Sequence, residues 1–375
     1  MKVIHIAQMI QGGVASYLNE VIPYQRRTFG RNAVLVAIPA SEVAFIDDDD
    51  PALLRPIATR GRKVGSLLRF LFHTIQVINT EKPDVIHLHS TFAGALVRMW
   101  FLLLPWNRPS IVYCAHGWAF NMQVSERLRG IYALLERTFA RVTDAIVCIS
   151  RFEYAQAIRR GLPRDLLHLI HNGIADQPVA ARRGGGVFNP ATLNLLFVGR
   201  HDRQKGYDTL LEAMHTLQGH PITLHVVGGA VVSAQDSDET SIDAVPTNVV
   251  QHGWKSRADV EAYLAQADAL VMPSRWEGFG LAALEAMRQQ VPVCASNVDA
   301  LPELVREGVS GHLFPPDDVA ALSTLLASLD RDSLQAMGPR ARAWYLEHFT
   351  SEKMNRDLVG LYRSLVPASN GATKQ

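Results

Sequence analysis

The chain has 375 residues, 48% of them hydrophobic and 19% charged, with a formal net charge of +1. This length carries two domains with full cores, and the balance is that of a folded α/β protein rather than a disordered chain. Near-neutrality argues against a strongly charged partner such as nucleic acid. Three cysteines, Cys114, Cys148 and Cys294, are odd in number and set in apolar runs, so they read as buried thiols of a reducing, cytoplasmic compartment rather than as bridges or ligands.

The opening MKVIHIAQMIQGG has too short an apolar run for a signal peptide and reads as a first core strand over 3–8. Gln11, Gly12 and Gly13 join it to a helix that begins at Val14. This is not the G-x-G-x-x-G fingerprint, so a nicotinamide dinucleotide is not indicated. Further strands are expected over 33–38, 84–89, 110–115, 144–149 and 167–171, each near a helical segment, which predicts a parallel sheet with right-handed crossovers. Residues 47–50 form an acidic run read as a charged loop. His87 and His89 alternate on one side of VIHLHS, but no carboxylate or third ligand stands nearby in sequence, so no metal site is expected. His116 closes the strand IVYCA. Ser150 and the pair Asn172-Gly173 also sit at strand ends, the latter read as a turn.

Two segments of this half, GRKVGSLLRFLFHTIQVI from Gly61 and FAGALVRMWFLLLPWNR from Phe92, mix apolar residues with Arg, Lys and Trp. They read equally as core helices with basic edges and as helices resting in an anionic membrane surface. Neither reaches the roughly 20 uninterrupted apolar residues that span a bilayer. Residues 175–190, with three consecutive glycines and two prolines, read as a flexible linker. A second alternation follows, with strands over 193–198, 222–227, 248–252, 269–272 and 291–295. Two doubly wound domains are therefore expected, 1–178 and 191–350, facing a central cleft, with a helix over 351–367.

The second half carries the more specific chemistry. Arg200 follows the strand LNLLFV directly and Lys205 precedes a helix, so both project from one βα loop. A planar fork of donors beside a compact ammonium suits a diphosphate. In RWEGFGLAALEAM, Glu277 lies in a strand-to-helix loop and Glu285 stands eight positions on, two turns into the helix. The amides of Phe279, Gly280 and Leu281 are expected at the helix start, a natural seat for phosphate, with Gly278 and Gly280 allowing close approach. Carboxylates beside an anion site point to sugar hydroxyls. Val250, His252, Gly253 and Trp254 follow another strand, and Trp254 reads either as packing or as a ring that stacks on a base.

The spacing of Glu277 and Glu285 resembles the E-x7-E motif of the retaining glycosyltransferases of family 4, which have the GT-B fold, and QGGVASYL and AHGWAF resemble the capsule, exopolysaccharide and O-antigen members. The resemblance covers nearly the whole chain. It implies that Arg200 and Lys205 neutralise the nucleotide diphosphate, that Glu285 binds ribose hydroxyls and that Glu277 stands near the donor sugar. It further implies that His116 contacts that sugar, that the Gly12–Gly13 loop approaches the donor phosphates and acceptor, and that helix 351–367 crosses back to the first domain. The expected activity is hexosyl transfer from a nucleotide sugar, a UDP-sugar before GDP-mannose, to a saccharide or lipid-linked saccharide, without metal or other cofactor. A sugar-nucleotide epimerase, a non-catalytic nucleotide-sugar binder and a two-lobed solute-binding protein are the alternatives; the last lacks support because no export signal is seen.

Overall fold

The computed structural model describes the chain except for residues 49, 60–62, 106–107, 123, 181–187, 231–244 and 367–375. The glycine-rich centre of the expected linker, Gly61 at the head of one basic segment and residues 106–107 of the other lie outside the described residues. Tertiary contacts divide the chain into two units, Met1–Ala175 together with the stretch from Ser351, and Asp176–Thr350.

The first unit is a seven-stranded parallel sheet. Its elements are β1 (Val3–Ala7), α1 (Gly13–Phe29), β2 (Val34–Pro39), β3 (Leu54–Ile57), α2 (Val64–Glu81), β4 (Val85–His89), α3 (Thr91–Leu103), β5 (Ser110–Cys114), α4 (Glu126–Phe139), β6 (Ala145–Cys148), α5 (Arg151–Arg159) and β7 (Leu167–Leu169). The strand order is β3-β2-β1-β4-β5-β6-β7. Strands β1, β2 and β4 are buried along their whole length, which is why they read as unbroken apolar runs rather than alternating ones. β3 was not expected. It is short, half-exposed and carries Pro56, tolerated because the strand lies at the sheet edge.

The second unit is a six-stranded parallel sheet in the order β10-β9-β8-β11-β12-β13. It comprises β8 (Leu193–Val198), α6 (Tyr207–Thr216), β9 (Ile222–Val227), β10 (Val249–Gly253), α7 (Arg257–Leu264), β11 (Ala269–Met272), α8 (Leu281–Arg288), β12 (Val293–Ser296), α9 (Leu301–Leu304), β13 (Gly311–Phe314), α10 (Val319–Ser328) and α11 (Arg331–His348). The edge strand β13, four residues of GHLF, also escaped the periodicity. In both sheets the order reverses once, between β1 and β4 and between β8 and β11. The loops after those strands flank the crevice where open α/β sheets bind ligands.

A last helix, α12 (Ser351–Leu365), belongs to the first unit. It buries Met354, Asn355, Leu358, Val359, Leu361 and Tyr362, one stripe at helical spacing. The Asn355 side-chain amide donates to the Glu20 carbonyl at 3.0 Å, and the Ser351 N–H donates to the Ile174 carbonyl at 2.8 Å. Asn172-Gly173 is not a turn. The pair is covered by α12, and the Gly173 N–H meets the Met354 sulfur at 3.3 Å. The acidic run is pinned, with Asp48 and Asp50 paired to Arg26 and Asp50 also to Arg31.

On the other side of the first sheet, α2 packs on α3 and α3 on α4. Between α3 and α4, fully buried Arg98 pairs with Glu136 at 2.9 Å and stacks on the Tyr113 ring at 3.6 Å. The outer faces leave Val64, Leu68 and Phe72 of α2, Met99 and Leu103 of α3, and Ile131 and Leu134 of α4 exposed. On α2 these recur every four residues and form one stripe.

Candidate active site

Two loops meet at the switch point of the second sheet. After β8 the chain passes through Arg200 and a single 3-10 turn ending at Lys205. Asp202 closes this turn by accepting from the Lys205 N–H at 3.1 Å. The Arg200 guanidinium, half-exposed, bonds Asp202 at 2.9 Å and Gln204 at 3.0 Å. After β11, Glu277 points back at this loop, and its carboxylate takes the Lys205 ammonium at 2.5 Å and the Ser274 hydroxyl at 3.4 Å. Lys205 and Glu277 are thus a close pair, both largely shielded from solvent.

Several residues that sequence reasoning passed over hold the two loops together. The Arg275 N–H donates to the Gln204 carbonyl at 2.8 Å, and the Gln204 side-chain amide donates to the Trp276 carbonyl at 3.2 Å. The Arg275 guanidinium grips Asp208 in bidentate fashion at 2.7 and 2.8 Å and also pairs with Asp317. Gly206 sits at φ +62°, and a Cβ there would lie 2.0 Å from the Pro273 carbonyl oxygen, so only glycine lets the loops touch. Asp299, itself left-handed at φ +48°, accepts the Glu277 N–H at 2.9 Å. Burial first, and the nearby Glu277 charge as a lesser cause, raise the Asp299 pKa. Arg275 stood in the quoted motif, but its partners are 42 to 72 positions away, so no local signal showed them.

The helix follows Gly280 as expected, although two of the three amides read as its start precede its first residue. α8 begins at Leu281, with Gly280 as its left-handed cap at φ +102°. Of the amides of Phe279, Gly280 and Leu281, only the last belongs to the first turn, followed by Ala282 and by Ala283, which donates to the Gly280 carbonyl at 2.9 Å. The Phe279 ring is buried and packs edge-on against Phe349. Glu285 stands half-buried in the second turn. Trp254 is 62% exposed at the end of β10, with its indole over Gly229, where a Cβ would come within 2.9 Å of Nε1. His252 stacks flat on buried His225 at 5.3 Å instead of standing open.

In the first unit the switch-point loops carry Gly12, Gly13 and His116. Gly12 lies at φ +93° and ends the turn into α1. Glu42 accepts from the N–H groups of Ile10 and Gln11 at 3.0 and 3.2 Å, and so fixes the approach to the glycines. His116 is left-handed at φ +52°, and Tyr17 packs against it edge-on at 4.8 Å. Ser150 caps α5 by accepting from the Glu153 N–H at 3.0 Å.

The third imidazole missing from the sequence reading comes from a neighbouring strand. His5 pairs in register with His87, so His5, His87 and His89 share one face and lie within ligating distance of one another. Hydrogen bonds engage them: His5 Nδ1 with His89 Nε2 at 3.0 Å, His5 Nε2 with Gln25 at 2.9 Å, His89 Nδ1 with His116 Nε2 at 2.9 Å and His87 Nδ1 with the Tyr362 hydroxyl at 2.6 Å. Burial lowers their pKa values, His5 to about 4 and His116 to about 3.

Comparison with known proteins agrees with this architecture. Residues 185–344 match the family model for glycosyl transferases group 1, and residues 12–173 match that for the glycosyl transferase 4-like domain. A 41.2 kDa protein of the cps region of Klebsiella pneumoniae is 30% identical, covering 97% of this chain and all of its own. The UDP-Gal:alpha-D-GlcNAc-diphosphoundecaprenol alpha-1,3-galactosyltransferase of Escherichia coli is 24% identical over 86% of each chain. The solved structure of HepE of Anabaena in complex with UDP superposes with a TM-score of 0.78 at 19% identity, covering 97% of this chain and all of that one. The chain belongs to the family 4 glycosyltransferases of polysaccharide biosynthesis, with the GT-B fold.

Proposed function

We propose that the protein transfers a hexosyl unit from a nucleotide sugar, a UDP-sugar before GDP-mannose, to a saccharide or lipid-linked saccharide, retaining the anomeric configuration and using no metal. The Lys205–Glu277 pair beside Arg200 carries this reading. Two cations suit a leaving diphosphate, and a carboxylate beside them suits a sugar hydroxyl or a cationic anomeric carbon. As the anomeric C–O bond breaks, its electron pair goes to the phosphate oxygen, and Arg200, Lys205 and the α8 amides stabilise that charge in place. The acceptor hydroxyl attacks on the same face and gives its proton to the departing phosphate. Glu285 is assigned the ribose hydroxyls, Trp254 the base, the Gly12–Gly13 loop the donor phosphates and His116 a donor-sugar hydroxyl. The named E. coli relative uses a UDP-sugar and the Anabaena structure holds UDP, which favours uridine.

The acceptor side rests on the exposed apolar residues of α2, α3 and α4. With Lys63 and Arg69 at its margin, this face suits an anionic membrane and hence a lipid-linked acceptor. No helix among the described residues is long and apolar enough to cross a membrane. A thermal-shift panel of UDP-, GDP- and ADP-sugars tests the donor, since a ligand raises the melting temperature by mass action. Uridine compounds should shift it most. Proton NMR of the first product then reads the new anomeric linkage, and a β-product from an α-donor would overturn the same-face mechanism.

A further inference from the structure

Three histidines of the first unit, His5, His89 and His116, are linked in a line, with His87 joined at its far end through Tyr362, and the line has a direction. One end is the Tyr362 hydroxyl of α12, 2.6 Å from His87 Nδ1. A phenol is a stronger acid than a neutral imidazole N–H, and so short a contact is the signature of O–H donating to a ring nitrogen. The Tyr362 proton is therefore committed to His87. The Gln25 atom that faces Tyr362 at 3.5 Å must then be the NH2 group, which donates to the phenol oxygen. The other end of the same amide, its oxygen, faces His5 Nε2 at 2.9 Å and can only accept.

From there each link follows by elimination, because a neutral imidazole has one N–H and one lone pair. His5 carries its proton on Nε2, so its Nδ1 accepts from His89 Nε2–H at 3.0 Å. His89 Nδ1 then accepts from His116 Nε2–H at 2.9 Å. All the inner members, Gln25, His5 and His89, are buried, where an unmade hydrogen bond is costly, so the line is not free to reverse one link at a time. Burial also opposes protonation at every ring, with His5 held down to about 4 and His116 to about 3, so the chain is neutral at physiological pH.

We propose that this directed chain, Tyr362 to Gln25 to His5 to His89, holds His116 as its Nε2–H tautomer and leaves Nδ1 as a lone pair that accepts a hydrogen bond from a ligand hydroxyl. His5, His89, Gln25 and Tyr362 are positioning residues, and the C-terminal helix sets the chemistry of a strand-end histidine 246 positions earlier in the chain. His116 so held is an acceptor for a hydroxyl and a poor general base, since a proton gained at Nδ1 would leave a cation that the buried chain cannot carry away: beyond His5 the line passes through the Gln25 amide, which does not take a proton on. Only the identity of the hydroxyl, that of a donor sugar, rests on the proposed function.

The test is made on the full chain labelled with 15N-histidine and free of ligand, by long-range 1H–15N correlation, which reads the protonation of each ring nitrogen. His116 is assigned by the signals lost in His116→Asn. The expected spectrum shows His116 protonated on Nε2 alone from pH 6 to 8. In Tyr362→Phe, which keeps the ring and removes the hydroxyl, Gln25 is free to turn over, and both His116 nitrogens should move toward intermediate shifts. A proton on His116 Nδ1, an imidazolium at pH 7, or a His116 spectrum indifferent to Tyr362→Phe would each overturn the proposal. So would stoichiometric metal in the purified protein that is lost in His87→Ala, because a metal would take the nitrogens the chain uses. If Tyr362→Phe does not fold, the wild-type spectrum still decides the direction. No readout needs sugar transfer, so a fixed tautomer in a protein that transfers nothing would leave this inference standing and remove the functional one.

Discussion

At the scale of single residues, Lys205 is the most exposed to test, because its ammonium is already held by Glu277 at 2.5 Å. A diphosphate arriving at this loop competes with Glu277 for the same charge. Lys205→Ala or Arg200→Ala should lower turnover roughly 10²–10³-fold, the scale for one preorganised donor at developing charge, with the melting temperature little changed because both sit in a loop. Near-normal turnover in either variant, measured at saturating donor, would rule out the diphosphate site. Glu277→Gln removes the competing carboxylate charge and should cut turnover while leaving UDP affinity equal or tighter. Glu285→Gln should weaken UDP binding first. Calorimetric UDP affinities and turnover on the same preparations separate the two, and opposite effects would exchange the assigned roles.

At the scale of elements, the parallel register that sets His5 opposite His87 has a thermodynamic consequence. Burial holds His5 near 4 and His116 near 3, below the ordinary 6.5, and lowers His87 and His89 as well. Between pH 6.5 and about 4 the unfolded chain therefore binds more protons than the folded one, and stability falls as pH falls through that window. The urea midpoint should be lower at pH 5 than at pH 7.5, and an equal or higher midpoint at pH 5 would contradict neutral buried histidines. Helix α2 offers a second element-scale prediction. Its stripe of Val64, Leu68 and Phe72 should bring the protein down with anionic vesicles, less so as salt shortens the roughly 10 Å screening length at 0.1 M. Leu68→Glu with Phe72→Glu should abolish sedimentation without lowering the melting temperature, since both side chains are solvent-exposed. Binding that persists in the double variant would move the contact elsewhere.

At the scale of the whole molecule, the proposed reaction has the charge on the leaving group met by Arg200, Lys205 and helix-start amides. Transfer should accordingly persist in excess EDTA, and full loss restored by Mg²⁺ or Mn²⁺ would place a cation in the reaction. Periodicity alone determined two parallel α/β units, because strands buried on both faces must be apolar throughout and their crossovers must be helical. It also placed Arg200, Lys205, Glu277, Gly12 and His116 in strand-end loops or at a helix start, and Glu285 inside the helix that follows, since those positions are marked locally by glycine and by the end of an apolar run. It missed β3 and β13, whose edge positions ask for little burial and so leave little pattern. It put a helix after Gly280, where α8 begins at Leu281, but counted with its start the Phe279 and Gly280 amides that precede it. Only the tertiary structure decided the pairing of Lys205 with Glu277, the Arg275 clamp on Asp208 and Asp317, the Asp299 contact and the line from Tyr362 to His116. Each joins groups tens to hundreds of positions apart, and strand order, which no local pattern encodes, is what brings them within hydrogen-bond reach.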